Sequence, residues 1–244
     1  MKLTLNSKNY IDLHLIDNKK RDLMLVFPGG GYEFTSWREA EPVAKTFEED
    51  GYHTAIFYYR EERLIHPATQ LECKAFIDKL KENRLIKRIF VIGFSAGGHY
   101  AATMMVYYPH LIAGGILAYP VITADIRWRH PGSFLALLGD SLSKSRLDEV
   151  SLEKHVTNKT PPVFLFHTMD DTAVPVENSE IFLGMLRTKR VKAEAHFFSS
   201  GRHGLSICTK EVSFEDMSPD AFVKAYGSMA IWVDLAKAFL KTIK

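Results

Sequence analysis

Cysteine is scarce in this chain. Cys73 and Cys208 are the two it has, and they sit in no metal-type or redox-type spacing. A disulfide framework is therefore excluded, a reducing compartment is the simplest setting, and each thiol reads as a small buried apolar residue. Charge of one sign is lacking as well: 31 Lys and Arg against 29 Asp and Glu leave a net charge of +2. With no basic stripe, neither nucleic acid nor an anionic membrane is expected as the main partner. Long hydrophobic runs are missing too. No apolar segment reaches membrane-spanning length, and Met1 to Tyr10 is interrupted by polar and charged residues where a signal peptide needs a continuous apolar stretch. The expectation is a soluble, cytoplasmic protein, in which the sequon Asn158-Lys-Thr160 has no meaning. His-Glu-x-x-His spacing is absent, which disfavours a metal hydrolase. No metal or cofactor is expected.

What the chain does hold is a regular alternation. Strand-like runs fall at Tyr10 to Ile16, Leu23 to Phe27, Thr54 to Tyr59, Ile89 to Phe94, Gly115 to Ile122, Val163 to His167 and Ala193 to Phe198. From Leu23 onward most are short, nearly all apolar, and separated by segments of helical period. That is the pattern of a mostly parallel sheet with helices on both faces, an α/β fold. Helices are expected from Ser36 to Gly51, after Pro67, from Ala96 to Tyr108, and through Trp232, Ala236, Phe239 and Ile243. Nothing resembles a linker, so residues 1–244 read as one domain. Between Thr123 and Pro161 the alternation breaks down into mixed polar and aromatic sequence. This stretch reads as an insertion over the active-site edge of the sheet, where substrate selection is expected.

The most informative segment is Ile89-Phe-Val-Ile-Gly-Phe-Ser95-Ala-Gly-Gly98. An apolar strand breaks into Gly-x-Ser-x-Gly and continues as a small-residue helix, the pattern of a nucleophile elbow. The tight reversal forces the central residue into a strained, exposed conformation, and the flanking glycines remove side chains that would collide. An elbow serine needs a base, and the base needs an acid to hold it. On this kind of sheet they follow in the order acid, then histidine. After Ser95, the strand Val163 to His167 ends in Asp170-Asp171, and the three-residue step to Val174-Pro175 picks Asp171. Asp170 reads as a turn residue. The strand Ala193 to Phe198 then leads to Gly201-Arg-His203-Gly, a glycine-flanked loop histidine able to reach Ser95.

Acyl transfer also needs preorganised donors for the oxyanion. Pro28-Gly-Gly-Gly-Tyr32 directly follows the strand Leu23 to Phe27, where such a loop must arise, and glycines let backbone N–H groups approach a substrate. Gly30 and Gly31 are the expected donors together with Ala96, the residue after the nucleophile; Gly29 is an alternative to one of them. The lysine and Ser/Thr of a phosphate-binding loop are absent.

These segments resemble the α/β-hydrolase superfamily and, within it, the bacterial acetyl esterase and acetyl xylan esterase-like sugar-ester hydrolases. The resemblance runs over nearly the whole chain, through Pro28-Gly-Gly-Gly-Tyr32, Glu41-Pro-Val-Ala44, Tyr59-Arg60, Gly93 to Gly98, Tyr119-Pro-Val-Ile122, His130-Pro-Gly-Ser133, Leu138-Gly139, Thr160-Pro-Pro-Val163, His167 to Asp171 and Gly201 to Leu205. It implies an α/β-hydrolase fold with Ser95 as nucleophile, Asp171 as acid and His203 as base. Many relatives open the oxyanion loop with a histidine where this chain has Pro28, so the loop's support must differ. The expected function is hydrolysis of short carboxylic esters, acetyl esters of sugars or xylo-oligosaccharides foremost, with a small-molecule ester as the partner and homo-oligomerisation open. A small-amide hydrolase or peptidase on the same fold is the alternative within enzymes. A non-catalytic binding module has no use for three triad residues in the right order. Tyr32, Trp128 and His130 are the expected substrate-pocket residues, Trp128 offering flat apolar surface beside hydrogen-bonding groups.

Overall fold

Successive residues of a buried strand face opposite layers, and here both layers are apolar. A computed structural model describes residues 1–244. In β3 (Arg21–Phe27), Leu23, Leu25 and Phe27 enter one core, while Met24 and Val26 enter the other. The same near-continuous apolar character marks β4 (His53–Tyr58), β5 (Ile86–Phe94), β6 (Gly114–Ala118) and β7 (Val163–Thr168), whose burial on both faces explains why their sequences do not alternate. With β1 (Lys2–Thr4), β2 (Tyr10–His14) and β8 (Ala193–Phe198) they form one eight-stranded sheet in the order β1-β2-β4-β3-β5-β6-β7-β8. The first two strands run antiparallel and the rest are parallel.

Helices cover both faces. α2 (Ala68–Lys81), α3 (Ala96–Tyr107) and α6 (Glu177–Thr188) pack Phe76, Tyr100 and Phe182 into the first core. α1 (Glu41–Glu48), α7 (Pro219–Tyr226) and α8 (Ile231–Lys241) pack Phe47, Phe222 and Trp232 into the second. Both cysteines are buried and unpaired. No helix is long and apolar enough to cross a membrane.

Two expectations need adjustment. The helix foreseen from Ser36 breaks at Ala40, giving one 3-10 turn (Trp37–Glu39) before α1. The strand foreseen to Ile122 ends at Ala118, because Tyr119 takes a positive φ of 38°. Beyond it the chain crosses the carboxyl edge of the sheet as α4 (Pro131–Leu138), α5 (Lys144–Glu149) and connecting loops. Asn178 ties this segment down: its Oδ1 accepts the N–H groups of Ile122 and Thr123, and its Nδ2 donates to the Trp128 carbonyl.

Candidate active site

The strand-to-helix reversal between β5 and α3 places Ser95 at φ 53°, ψ −120°, outside the usual regions for a residue with a side chain. Only a small neighbour permits it: a Cβ on Gly97 would stand 2.1 Å from the Phe27 carbonyl oxygen. The turn is pinned by hydrogen bonds from Ser95 N–H to the Ala118 carbonyl (3.0 Å) and from Val121 N–H to the Ser95 carbonyl (3.1 Å). Strain at one residue is thus held by the neighbouring strand end.

Across the sheet edge, His203 Nε2 lies 2.8 Å from Ser95 Oγ and His203 Nδ1 lies 2.6 Å from Asp171 Oδ2. A carboxylate only accepts, so Nδ1 carries the proton and Nε2 is free to accept from the serine hydroxyl. The structure therefore brings Ser95, His203 and Asp171 into one hydrogen-bonded chain. Asp171 is buried in the turn after β7, and its Oδ1 accepts the N–H groups of Ala173 and Val174 at 2.9 and 3.0 Å. Burial pushes this carboxyl up, but hydrogen bonds from His167 and His203, the charge of His203 and the Val174 N–H outweigh it and hold the group well below the usual carboxylate range. Asp170 points elsewhere. Its carboxylate accepts from Ser200 Oγ (2.5 Å) and the Gly201 N–H (2.7 Å), bracing the loop that carries His203.

On the other side of Ser95 lies the loop after β3. Gly29 N–H donates to Glu39 Oε2 at 2.8 Å and is therefore engaged. Gly30 and Gly31, whose N–H groups have no acceptor in the protein, line the same cavity as Ser95. Ala96 opens α3, where the first N–H groups have no acceptor within the helix. Of the alternatives left by the sequence, the geometry favours Gly30 and Gly31 over Gly29. Gly30 has a φ of 127° and doubles the loop back so tightly that a Cβ there would meet the Phe34 carbonyl oxygen at 2.2 Å.

Glu39 is the residue that sequence reasoning missed. It is 3% exposed and has no cationic partner, its two oxygens accepting from Gly29 N–H and from the Tyr119 hydroxyl at 2.7 Å. In the sequence it reads as an ordinary acidic residue at a helix start. The break at Ala40 turns it inward, and no periodicity signals that break. With Pro28 at its start, the loop is supported by a buried carboxylate, and by Tyr59, whose hydroxyl donates to the Pro28 carbonyl at 2.5 Å.

A cavity of about 430 Å³ opens over Ser95 and His203, walled by Gly30, Gly31, Glu33, Phe34, His130 and Gly132 among others. His130 faces it, and its Nδ1 accepts from the Ser133 N–H and lies 2.9 Å from Ser133 Oγ. Burial pushes this imidazole down from the ordinary histidine value, with nearby His203 adding to the effect. Neutral and accepting at Nδ1, it leaves an Nε2–H donor. The other two expected pocket residues stand elsewhere. Tyr32, at φ 62°, turns its ring into the core, where its hydroxyl meets His99 Nδ1 at 2.8 Å. Trp128 lies outside the cavity wall, its place as the apolar surface taken by Phe34, which is 60% exposed.

The prolyl oligopeptidase family profile matches residues 57–226. Endo-1,4-beta-xylanase B of Butyrivibrio fibrisolvens is 34% identical over 219 residues, covering 80% of this chain and 34% of that protein. Acetylxylan esterase of Xylanibacter ruminicola is 28% identical over 225 residues, covering 85% of this chain and 47% of that protein. The chain thus spans between a third and a half of these two relatives. Among solved structures, an acetyl ester-xyloside bifunctional hydrolase from Caldicellulosiruptor lactoaceticus superposes with a TM-score of 0.83 at 31% identity, covering 96% of this chain and 88% of that one.

Proposed function

The chain belongs to the prolyl oligopeptidase family and has the α/β-hydrolase fold, and we propose that it is a serine esterase removing short acyl groups, acetyl above all, from sugars such as xylo-oligosaccharides. One observation carries the reading: the hydrogen-bonded chain Ser95–His203–Asp171 opens onto one cavity with Gly30 and Gly31, whose N–H groups are unpaired. In this reading Ser95 Oγ attacks the ester carbonyl as His203 Nε2 takes its proton. Gly30, Gly31 and Ala96 hold the oxyanion, each donor contributing on the order of 3 kcal/mol. Protonated His203 delivers its proton to the departing alcohol, and Asp171, ionised throughout, steadies the imidazolium. Water, deprotonated by the same histidine, then cleaves the acyl-enzyme.

Support for the substrate class comes from two sides. Phe34 is the one hydrophobic residue of the cavity wall, so a long acyl tail has no apolar tunnel to enter. The similarity to an acetylxylan esterase and to an acetyl ester-xyloside hydrolase points to acetylated xylosides. The test is fluorophosphonate labelling followed by acetate release. Wild-type protein should label at Ser95 and release acetate from acetylated xylo-oligosaccharides, and Ser95→Ala should lose both, turnover falling on the order of a millionfold. Retention of more than about a hundredth of the activity in Ser95→Ala removes the assignment.

A further inference from the structure

The cavity over Ser95 is one of two that share a wall. A second, of about 400 Å³, is lined by Glu33, Arg60, Arg63, Leu135, Ala136 and Asp140. Glu33 borders both, and α4 runs along both, presenting Gly132 to the first and Leu135 and Ala136 to the second. Each volume lies within the range of roughly 300–1,000 Å³ typical of small-molecule sites. Arg60 follows β4 at its carboxyl end, the edge of a parallel sheet at which ligands gather.

The second cavity has charged walls whose groups leave each other alone. Arg60 makes one hydrogen bond, to the Leu64 carbonyl at 3.3 Å, and Arg63 makes one, to the Leu135 carbonyl at 3.4 Å. Neither guanidinium comes within 4.0 Å of a carboxylate, although Glu33 and Asp140 line the same space. Arg60 is half-buried, and burial pushes its guanidinium down from the ordinary arginine value, with Arg63 beside it adding to the effect. Each arginine offers five N–H donors, so most are unused here, and the two carboxylates are unused acceptors. Donors and acceptors of opposite charge, held apart across a gap, match a neutral ligand with many hydroxyls, each able to accept from a guanidinium and donate to a carboxylate. A strongly anionic ligand is opposed by Glu33 and Asp140. Leu135, 46% exposed, adds an apolar patch for a ring face.

We infer that this second cavity is a subsite for the alcohol half of the ester, holding a neutral sugar ring beyond the one that carries the acyl group. The inference rests on the esterase reading above and gives it a direction: the acyl group lies at Ser95 and the saccharide runs past Glu33 along α4.

Two measurements test it. Calorimetric titration of unesterified xylotriose onto the Ser95→Ala protein should show binding that weakens about tenfold in Arg63→Ala and in Asp140→Ala, the loss of one or two hydrogen bonds. Both replaced residues are exposed, so the fold should tolerate them. In the active enzyme, the ratio of kcat/KM for acetylated xylotriose to kcat/KM for p-nitrophenyl acetate should fall about tenfold with either replacement. No binding of xylotriose, or binding and ratios unmoved by both replacements, overturns the subsite. Acetate release with an unmoved ratio leaves the esterase and removes the subsite. Arg63-dependent and Asp140-dependent xylotriose binding without acetate release does the reverse.

Discussion

The Tyr119 hydroxyl donates to Glu39 Oε1 at 2.7 Å and accepts the Ser206 N–H at 2.8 Å. One phenol thus connects the carboxylate that holds Gly29 to the loop three residues past His203, and its ring packs edge-on against the His203 imidazole at 5.0 Å. The loop bearing the proposed oxyanion donors and the loop bearing the proposed base are fixed to each other through this buried pair and through Ser206 Oγ, which donates to the Arg38 carbonyl at 2.7 Å. Relative placement of base and oxyanion donors is what acyl transfer depends on, and small displacements there reduce turnover steeply.

Glu39→Ala removes the carboxylate from this link and leaves the Gly29 N–H and the Tyr119 hydroxyl without their acceptor. Turnover of p-nitrophenyl acetate is expected to drop on the order of a hundredfold with little change in KM, comparable to the loss of one oxyanion donor. Glu39→Gln, whose amide oxygen still accepts from Gly29, should retain a substantial part of kcat. Steady-state kinetics on both variants, with circular dichroism to check folding, decide the matter. An unchanged kcat in Glu39→Ala with a lowered melting temperature would reduce Glu39 to a purely structural role.

The neighbouring aspartates should separate cleanly. Asp171→Asn presents an amide to His203 Nδ1, allowing the imidazole to settle in the wrong tautomer, and kcat should fall on the order of ten-thousandfold. Asp170→Asn loses charge on the hydrogen bonds from Ser200 and Gly201, which brace the histidine loop from outside. Its effect should stay within about tenfold. Should Asp170→Asn prove the more damaging of the two, the acid has been assigned to the wrong residue.

A pH dependence of stability follows from His99, one turn into α3. Its Nε2–H donates to the Val150 carbonyl at 2.9 Å, which leaves Nδ1 to accept from Tyr32. Burial pushes this imidazole down to about 4, outweighing the favourable bond to Val150. In the unfolded chain a histidine titrates near roughly 6.5. The folded state therefore binds fewer protons than the unfolded one between these values, and the stability present above pH ~6.5 is lost as pH falls toward the folded value. The full difference is on the order of 3 kcal/mol. Urea denaturation at pH 7 and near pH 4.5 should show a steep loss in wild type and a shallower one in His99→Gln. Parallel losses in the two proteins would exonerate His99.

How legible all this was in the sequence depended on whether the information is local. The parallel strands declared themselves because burial on both faces demands unbroken apolar runs, and β8 matches its expected span, Ala193 to Phe198. β1 is not legible because three exposed or half-exposed residues carry no pattern. α7 is hard to read despite its Ser218 cap and Pro219, because its eight residues bury one side chain. Ser95, Asp171 and His203 stood out because each sits in a strand-end turn of distinctive composition. Glu39 did not, since its role depends on a backbone break at Ala40 that only tertiary packing creates. The cavity wall was the least legible part. Tyr32 adjoins the glycine loop in sequence yet is turned inward by backbone geometry, and the segment from Thr123 to Pro161 gives the first cavity only His130 and Gly132.

That redistribution of the pocket bears directly on specificity. Phe34 presents an exposed ring at the cavity over Ser95, whereas Trp128 stands outside its wall. A sugar ring placed over Ser95 and His203 would meet Phe34, and burying its apolar C–H face against that ring contributes on the order of 1 kcal/mol. Phe34→Ala is therefore expected to raise KM for an acetylated xylo-oligosaccharide about fivefold, with a smaller effect on p-nitrophenyl acetate, and Trp128→Ala should change neither by more than about twofold. Acetyl and propionyl esters should also be turned over far better than octanoyl ones, because the wall offers a long chain little besides Phe34. Michaelis constants for the two substrates in both variants, and a p-nitrophenyl ester series, supply the comparison. A dominant effect of Trp128→Ala would return the sugar platform to the segment over the sheet edge, and a preference for octanoyl esters would leave a general esterase with no sugar specificity.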